Sequence, residues 1–580
     1  MKDDRTTFVP RHVGRNIFPG SPFFNRLLRF AHALPPRICV RDDNLGKEFT
    51  HIQLLSDVLA FREKVWNDFL TPEVRRQLDN REEVYFAILA AGGYEYTVAT
   101  VAALAMGAAI VPMTVMLPPE EALYFATKSK AACVICSASA EKLGSDLEQL
   151  VRKGDPNSTF RHVPVAPYLG NAPLHPGEIF ISSDRYLPES DPGVVIFTSG
   201  TSGPPKGAVM RRGFIHDTAL AVADHYSYGP EDTLLHLLPV HHATGIGINY
   251  FPCLISGCVI EFNSGSFSAE WTWERWKRGG ITIFSGVPTI YMRMMRYFEQ
   301  KLASRSDVDE YIQGARNIKA CLCGTSALPK PIADFWAKIL GKRITLRYGA
   351  SEFGAVIKVR LGDENVPDGS VGTLFAGCDV KLRDEETGAY GDQGEVVIRS
   401  PTGEMFAKYL NDPEATKKAF TSDGYYRSGD IARKEGPYYW IEGRASIDII
   451  KSGGYKISAL DIEREILGLD YVSEVMVLGV ADLEFGERVA AAVVLKARGD
   501  QTSKEPVEDL TIDRLRQDLR SRLAGYKMPT VLRVMDEELP KSGTGKVVKK
   551  VLGPQFFPKN YLELKEVQAW TPQEKTKAKL

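Results

Sequence analysis

Apolar and polar positions change period along this chain in a repeating order. From Thr50 to about Ser137, apolar residues recur at helical spacing over His51–Phe69 and Glu95–Ala109. They run together over Glu83–Ala91, which ends in Gly92-Gly93, and over Ala131–Ser137. Mixed spacing of the first kind predicts helices and short apolar runs of the second kind predict buried strands. Their alternation predicts α/β layers with a largely parallel sheet. The window Thr97–Leu117 is the most apolar, yet it is rich in Ala and Gly and interrupted by Pro112, so it predicts a buried helix and then a short strand rather than a membrane span. Residues 1 to about 50, with many Pro, Arg and Phe, predict irregular chain over the first domain, and 154–192 predict connecting structure.

The pattern continues past Gly193–Phe197, a run read as a buried strand, with a helix at Gly213–Tyr226 and a strand over Asp232–Pro239. A helix is expected at Glu270–Gly280, carrying Trp271, Trp273 and Trp276, then a strand at Ile281–Ser285 and a helix opening at Gly286-Val-Pro-Thr289. Ala320–Cys323 and Ile344–Arg347 are two further strands. Three consecutive strands thus end in glycine-containing turns, at Gly286, Gly324 and Gly349, and in open parallel sheets such turns converge on a ligand. Residues 366–441 alternate in short runs and predict a small β subdomain. Beyond Glu442 come a helix (Ala459–Leu469), strands (Val472–Val480, Arg488–Leu495) and a helix (Leu510–Leu523). The expected fold class is α/β: a large N-terminal domain of layered, largely parallel sheets with a β subdomain (1–442) and a small C-terminal α+β lid (443–580).

Bulk composition excludes several classes. A chain of 580 residues with 44% hydrophobic and 25% charged residues suits a globular protein of two or more domains. Its formal net charge of −1 gives no basic field for nucleic acid. Eight cysteines make no disulfide scaffold; Cys133, Cys136, Cys321 and Cys323 sit in strand-like runs and are expected as buried thiols. Adjacent His241 and His242 do not easily chelate one metal. Asp3 and Asp4 argue against a secretory signal. The final Ala578-Lys579-Leu580 is similar to the Ser-Lys-Leu peroxisomal address, with a plain charged tail as the alternative.

Candidate chemistry gathers first at Thr198-Ser-Gly-Thr-Ser-Gly-Pro-Pro-Lys-Gly207. Glycines let a backbone approach a ligand, hydroxyls donate, and Lys206 adds a cation, a combination suited to a polyphosphate. Pro204-Pro205 before the lysine and Gly207 after it distinguish the loop from a Walker A site. Glu352 is a hard oxygen ligand suited to Mg²⁺. Asp430, following Gly429, is placed as in dinucleotide folds to accept from ribose hydroxyls. Near the end, Pro540-Lys-Ser-Gly-Thr-Gly-Lys546 carries a lysine on a glycine-flanked loop.

Taken together, TSGTSGPPKG, LPVHHATG, YGASE, YRSGD, GRASIDIIKSGGYKI and PKSGTGK resemble, in order, the motifs of the acyl-adenylate-forming superfamily of acyl-CoA synthetases, luciferases and nonribosomal adenylation domains. The resemblance extends from about Thr50 to about Lys550, with Ser351 and Ser428 where the family usually has threonine. It implies an AMP-forming acyl-CoA synthetase using ATP, Mg²⁺ and CoA. ATP would be held by Thr198, Ser199, Gly200, Thr201, Ser202, Gly203, Lys206, Gly324, Thr325, Ser326, Tyr348, Gly349, Ser351, Asp430 and Arg444. Glu352 would take Mg²⁺, Lys546 would be the catalytic lysine, and His242 would stand between acid and nucleotide. Gly453 and Gly454 would border the CoA tunnel after the lid turns about a hinge within Ala445–Asp448. HLLPVHHATG, GVPTIYMR and GRASIDIIKSGGYKISAL look most like malonyl-CoA synthetases, and Arg293 falls where some of these bind the substrate's distal carboxylate. A solvated helix face shared by Arg293, Arg296 and Gln300 is the competing expectation, and a medium-chain or aryl acid is also open. An aminoacyl-adenylating module is disfavoured by His241-His242 in place of an acidic residue. A non-catalytic nucleotide-binding protein is disfavoured by the presence of Lys206, Glu352, Asp430 and Lys546.

Overall fold

Two large sheets carry most of the chain, and what positions the site is where their strands end. The computed structural model describes residues 15–198, 204–324, 328–400, 405–453, 455–483, 485–497, 507, 509–541 and 546–571, without the side chains of 184, 185 and 456. Ser199, Gly200, Thr201, Ser202, Gly203, Thr325, Ser326, Gly454 and Ala578-Lys579-Leu580 lie outside these described residues.

The first sheet has seven strands in the spatial order Lys408–Tyr409, Lys206–Arg211, Pro192–Thr198, Ala109–Met113, Tyr85–Leu89, Cys133–Cys136 and Arg161–Pro164. The last five run parallel, and the first two are antiparallel additions. The second sheet has nine strands, with a parallel centre of Thr345–Ala350, Ala320–Cys323, Ile283–Gly286, Thr233–His236, Val259–Phe262 and Ile38–Asp42. Parallel strands buried on both faces must be apolar throughout, which is why Tyr85–Leu89, Ala109–Met113 and Cys133–Cys136 have no exposed position. The Thr97–Leu117 window divides into helix Tyr94–Met106 and strand Ala109–Met113, as its composition predicts. Among the described residues no helix is long and apolar enough to cross a membrane.

Three expectations are corrected. Residues 17–50 are ordered: strand Ile17–Gly20 pairs with Phe180–Tyr186, and helix Pro22–Ala31 buries Phe23, Phe24, Leu27 and Ala31. Ile38–Asp42 and Lys47–Thr50 then complete the edge of the nine-stranded sheet. The stretch 154–192, expected as connection, contributes the strands Arg161–Pro164 and Phe180–Tyr186. Finally, Asp232–Pro239 is a strand only over Thr233–His236. The tryptophans resolve to core: Trp273 and Trp276 are fully buried and Trp273 stacks on Trp336 at 5.5 Å. Cys133, Cys136, Cys321 and Cys323 are buried free thiols; burial pushes Cys136, Cys321 and Cys323 up to about 12.

A five-stranded antiparallel sheet follows, of which Tyr426–Glu435 and Tyr438–Arg444 face the site. The chain then forms a separate sheet of six strands between Ile449 and Ala569, led by the hairpin Val472–Asp482 with Gly486–Leu495. That sheet has its own apolar core, built around Ile462, Ile466, Leu515 and Leu532 on one face.

Candidate active site

The carboxyl ends of strands from both large sheets, one edge of the five-stranded sheet and the last sheet's segment at Lys546 surround one cavity of about 2940 Å³. Pro192–Thr198 and Lys206–Arg211 run antiparallel, so Thr198 and Lys206 stand opposite each other, and Thr198 Oγ1 donates to the Lys206 carbonyl at 3.3 Å. Both residues line the cavity at the two ends of the glycine- and serine-rich loop.

Near its end, strand Thr345–Ala350 runs so close to Gly354–Lys358, at an irregularity in their pairing, that position 349 has no room for a side chain. A Cβ on Gly349 would stand 2.0 Å from the Gly354 carbonyl oxygen. Ser351 and Glu352 line the cavity just beyond. Glu352 Oε1 accepts from the Tyr409 hydroxyl at 2.9 Å, and that hydroxyl lies 3.2 Å from the Tyr426 hydroxyl. The Lys206 ammonium sits 5.2 Å from the centre of the Tyr409 ring. Tyr409 thus joins the phosphate-loop lysine to Glu352, a role the sequence did not reveal, because Tyr409 sits in a two-residue strand with no local motif.

Asp430 faces Arg444 across the neighbouring ladder. Its Oδ1 accepts from Arg444 Nε at 2.8 Å and its Oδ2 from the Tyr348 hydroxyl at 2.8 Å. The carboxylate is therefore held by two donors from different sheets. The main chain turns sharply next to it: Gly443 has φ +122°, and a Cβ there would meet Asp448 Cβ at 2.4 Å. Asp448 N–H donates to the Arg444 carbonyl at 2.7 Å, closing the turn within which the hinge is expected.

Lys546 lines the same cavity. Burial pulls its ammonium below the ordinary lysine range, the nearby Arg444 adds to this, and Asp430 opposes it. Burial also lowers His242 to about 4, with Lys546 adding repulsion, and lowers His241 to about 3. His242 is thus a neutral imidazole at pH 7, able to donate or accept one hydrogen bond beside a cation.

Arg293 and Arg347 also line the cavity. Arg293, in helix Pro288–Tyr297, is exposed and lies 5.8 Å from the Phe267 ring centre. Arg347 was not singled out in the sequence. It is 6% exposed and lines the cavity, its Nη2 is 3.5 Å from Ser285 Oγ, and its Nη1 is buried without a hydrogen-bond partner. The available signal was a charged residue within an otherwise apolar strand. A buried guanidinium left short of acceptors is costly unless something supplies them. Gly324 packs against it, with a Cβ there only 3.0 Å from Arg347 Cγ. Gly453 occupies a hairpin turn, its N–H donating to the Phe485 carbonyl at 2.9 Å, and is not part of the cavity wall.

Among the described residues, no group of three or more His, Cys, Asp or Glu side chains forms a metal cage. A single carboxylate at Glu352 fits Mg²⁺, which keeps several waters and is usually shared between one or two carboxylates and substrate phosphates. Lys206, Arg444 and Lys546 give this part of the wall cations that a phosphate could meet, beside the carboxylates of Asp430 and Glu352.

This fold, with Thr198, Lys206, Asp430 and Lys546 around one cavity, is that of an adenylate-forming enzyme. The chain belongs to the AMP-binding enzyme family: that family matches residues 76–410, and the AMP-binding enzyme C-terminal domain matches 461–546. Its relatives include the malonate–CoA ligase of Arabidopsis thaliana, 32% identical over 89% of this chain and 86% of the relative. The mitochondrial malonate–CoA ligase ACSF3 of Xenopus laevis is 34% identical over 80% of this chain and 81% of its own. ATP-bound MatB from Rhodopseudomonas palustris shares the fold, with a TM-score of 0.74 at 24% identity over 95% of this chain and 100% of that one. The expected acyl-CoA synthetase branch, close to malonyl-CoA synthetases, is borne out by these relatives.

Buried neutral histidines set an acid limit on stability. Burial lowers His51, His225, His236 and His242 to about 4 and His241 to about 3, from an ordinary 6.5. The unfolded chain takes up these protons first, so stability is full above pH 6.5 and is lost as pH falls toward 4. The thermal midpoint is expected to drop by several degrees between pH 7 and pH 5 in scanning calorimetry; an unchanged midpoint would contradict buried neutral imidazoles.

Proposed function

We propose that this protein is an ATP- and Mg²⁺-dependent carboxylate–CoA ligase acting on malonate or a similarly short diacid. The observation that carries the substrate class is Arg347, a buried cation with an unpartnered Nη1 in the wall of the cavity that also holds Lys546 and Glu352. A monoacid's alkyl chain would leave that guanidinium unsatisfied; a second carboxylate would satisfy it, with Arg293 able to share the charge.

In the first half-reaction a substrate carboxylate oxygen attacks the α-phosphorus of ATP. The new bond is C(O)O–P, and the bond to the bridging oxygen breaks as pyrophosphate leaves. Two anions must approach, so catalysis here is largely charge compensation and alignment. Lys546 would lie between the carboxylate and the α-phosphate, with Lys206 toward the outer phosphates. Asp430 would take the ribose hydroxyls while Arg444 and Tyr348 keep its oxygens aimed. Glu352, fixed by Tyr409, would hold Mg²⁺, whose charge offsets that of the phosphates. His242 is uncharged and would orient the carboxylate without adding a further cation beside Lys546. In the second half-reaction the CoA thiol loses its proton and attacks the acyl carbon, and AMP leaves. No protein nucleophile is needed.

The two halves require different neighbours. With Lys546 in the cavity and Gly453 outside its wall, the observed arrangement is the one the first half needs. We infer that residues 443–580 move as a lid about Ala445–Asp448 and bring the Gly453 turn to the CoA for the second.

Two predictions follow directly from these roles. Lys546→Ala should abolish pyrophosphate release yet spare thioester formation from supplied acyl-adenylate and CoA; equal loss of both halves would remove Lys546 from the chemistry of adenylation. With a panel of acetate, malonate, methylmalonate, octanoate and benzoate, turnover should favour the diacids. Arg347→Met should raise KM for malonate on the order of a hundredfold, as expected when a buried charged hydrogen-bonding group is removed. Turnover of octanoate or benzoate alone, unchanged by Arg347→Met, would keep a ligase and discard the diacid.

A further inference from the structure

Helix Pro288–Tyr297 begins where strand Ile283–Gly286 ends, and it presents Arg293 and Arg296 one turn apart. Arg296 reaches across to the C-terminal sheet. Its Nη2 donates to Ser473 Oγ at 2.6 Å, its Nη1 lies 3.2 Å from Glu538 Oε1, and Glu474 Oε1 is 4.0 Å from Nη2. Glu474 is buried and already committed: one oxygen accepts from the Leu539 N–H at 3.0 Å, and the other from Lys541 Nζ at 2.6 Å. Lys541 opens the segment that closes at Lys546, and it bridges to Val547. One arginine of this helix therefore touches the same carboxylate that anchors the base of the Lys546 segment.

We infer that Arg296 is a positioning residue for adenylation. By gripping Ser473, Glu538 and the edge of Glu474, it docks the C-terminal sheet in the orientation that delivers Lys546 to the cavity. This rests on the ligase reading above and adds to it a residue that touches neither ATP nor acid. It also distinguishes two arginines that share one helix: both line the cavity, but Arg296 in addition grips the C-terminal sheet. The strength of the grip suits a contact made and broken in each turnover. Glu538 is two-thirds exposed, so its ion pair is weak in water, and one hydroxyl acceptor adds only modestly.

The test separates the half-reactions. Arg296→Ala should slow malonate-dependent pyrophosphate release by roughly tenfold while thioester formation from supplied acyl-adenylate stays within about twofold. Arg296→Lys should lose less than Arg296→Ala. Exchange of the pair, Arg296→Glu with Glu538→Arg, should recover part of what Arg296→Glu loses. Equal slowing of both halves, or no change in either, overturns the proposal. A second readout needs no turnover. Spin labels on exposed Lys301→Cys and Lys559→Cys, in a Cys378→Ser background where the remaining native thiols are buried, report the distance between the two bodies. Arg296→Ala should broaden that distribution, and an unchanged distribution overturns the docking role. Wild-type protein inactive on every acid would sink the ligase reading, while the label distances would still decide the contact.

Discussion

The site depends on two cations, Lys546 and Arg347, held away from bulk water in a wall that carries charges of both signs. Lys546 is buried near Arg444, and Arg347 is buried with an unpartnered Nη1. In a protein interior two like charges 4 Å apart repel by roughly 4 kcal/mol at an effective dielectric near 20. Arg347 in particular keeps one donor unanswered, and on the diacid reading proposed above a second substrate carboxylate would answer it. His242 is kept neutral chiefly by its burial, and the charge of Lys546 nearby works in the same direction.

Much of the site could be read from the chain. Hydroxyls, glycines and a lysine after the apolar strand ending at Phe197, an acid three residues after Gly349, an aspartate after Gly429 and a lysine on a late glycine-rich loop are all local patterns. Each is local because it must place a small group at the end of a strand. Gly349 is the clearest instance: the Gly354 carbonyl leaves no room for a side chain, so the residue type reports the geometry directly.

What stayed hidden is what acts across distance. Tyr409 matters through Lys206, Glu352 and Tyr426, none of which is its neighbour in sequence. Arg347 reads as one polar residue in a strand until Ser285 and Gly324 are seen against it. The N-terminal segment failed for a different reason. Helix Pro22–Ala31 does carry a local signature, with Ser21 accepting from the Phe23 N–H and a proline in the first turn. The strand after it, Ile38–Asp42, is defined by pairing with Val259–Phe262, more than two hundred residues away, and no local pattern contains that.

The contrast between two lysines bears on how the proposed lid would move without losing aim. Lys549, three residues after Lys546, is buried with Nζ 2.6 Å from Asp448 Oδ1 and 2.8 Å from Glu463 Oε1. Burial works against its charge, but the two carboxylates together raise it above the ordinary lysine range. Breaking a buried pair of this kind by removing one partner costs roughly 3–5 kcal/mol. The link therefore ties the Lys546 segment firmly to Asp448, at the turn next to Arg444. Lys541, by contrast, is tied through Glu474 to a contact with Arg296 that lies half in water. On the lid reading proposed above, strong bonds inside the C-terminal body and weaker ones at the Arg296 contact would make the turn at Arg444–Asp448 the place where rotation is cheapest, and Lys546 would enter and leave the cavity with that body.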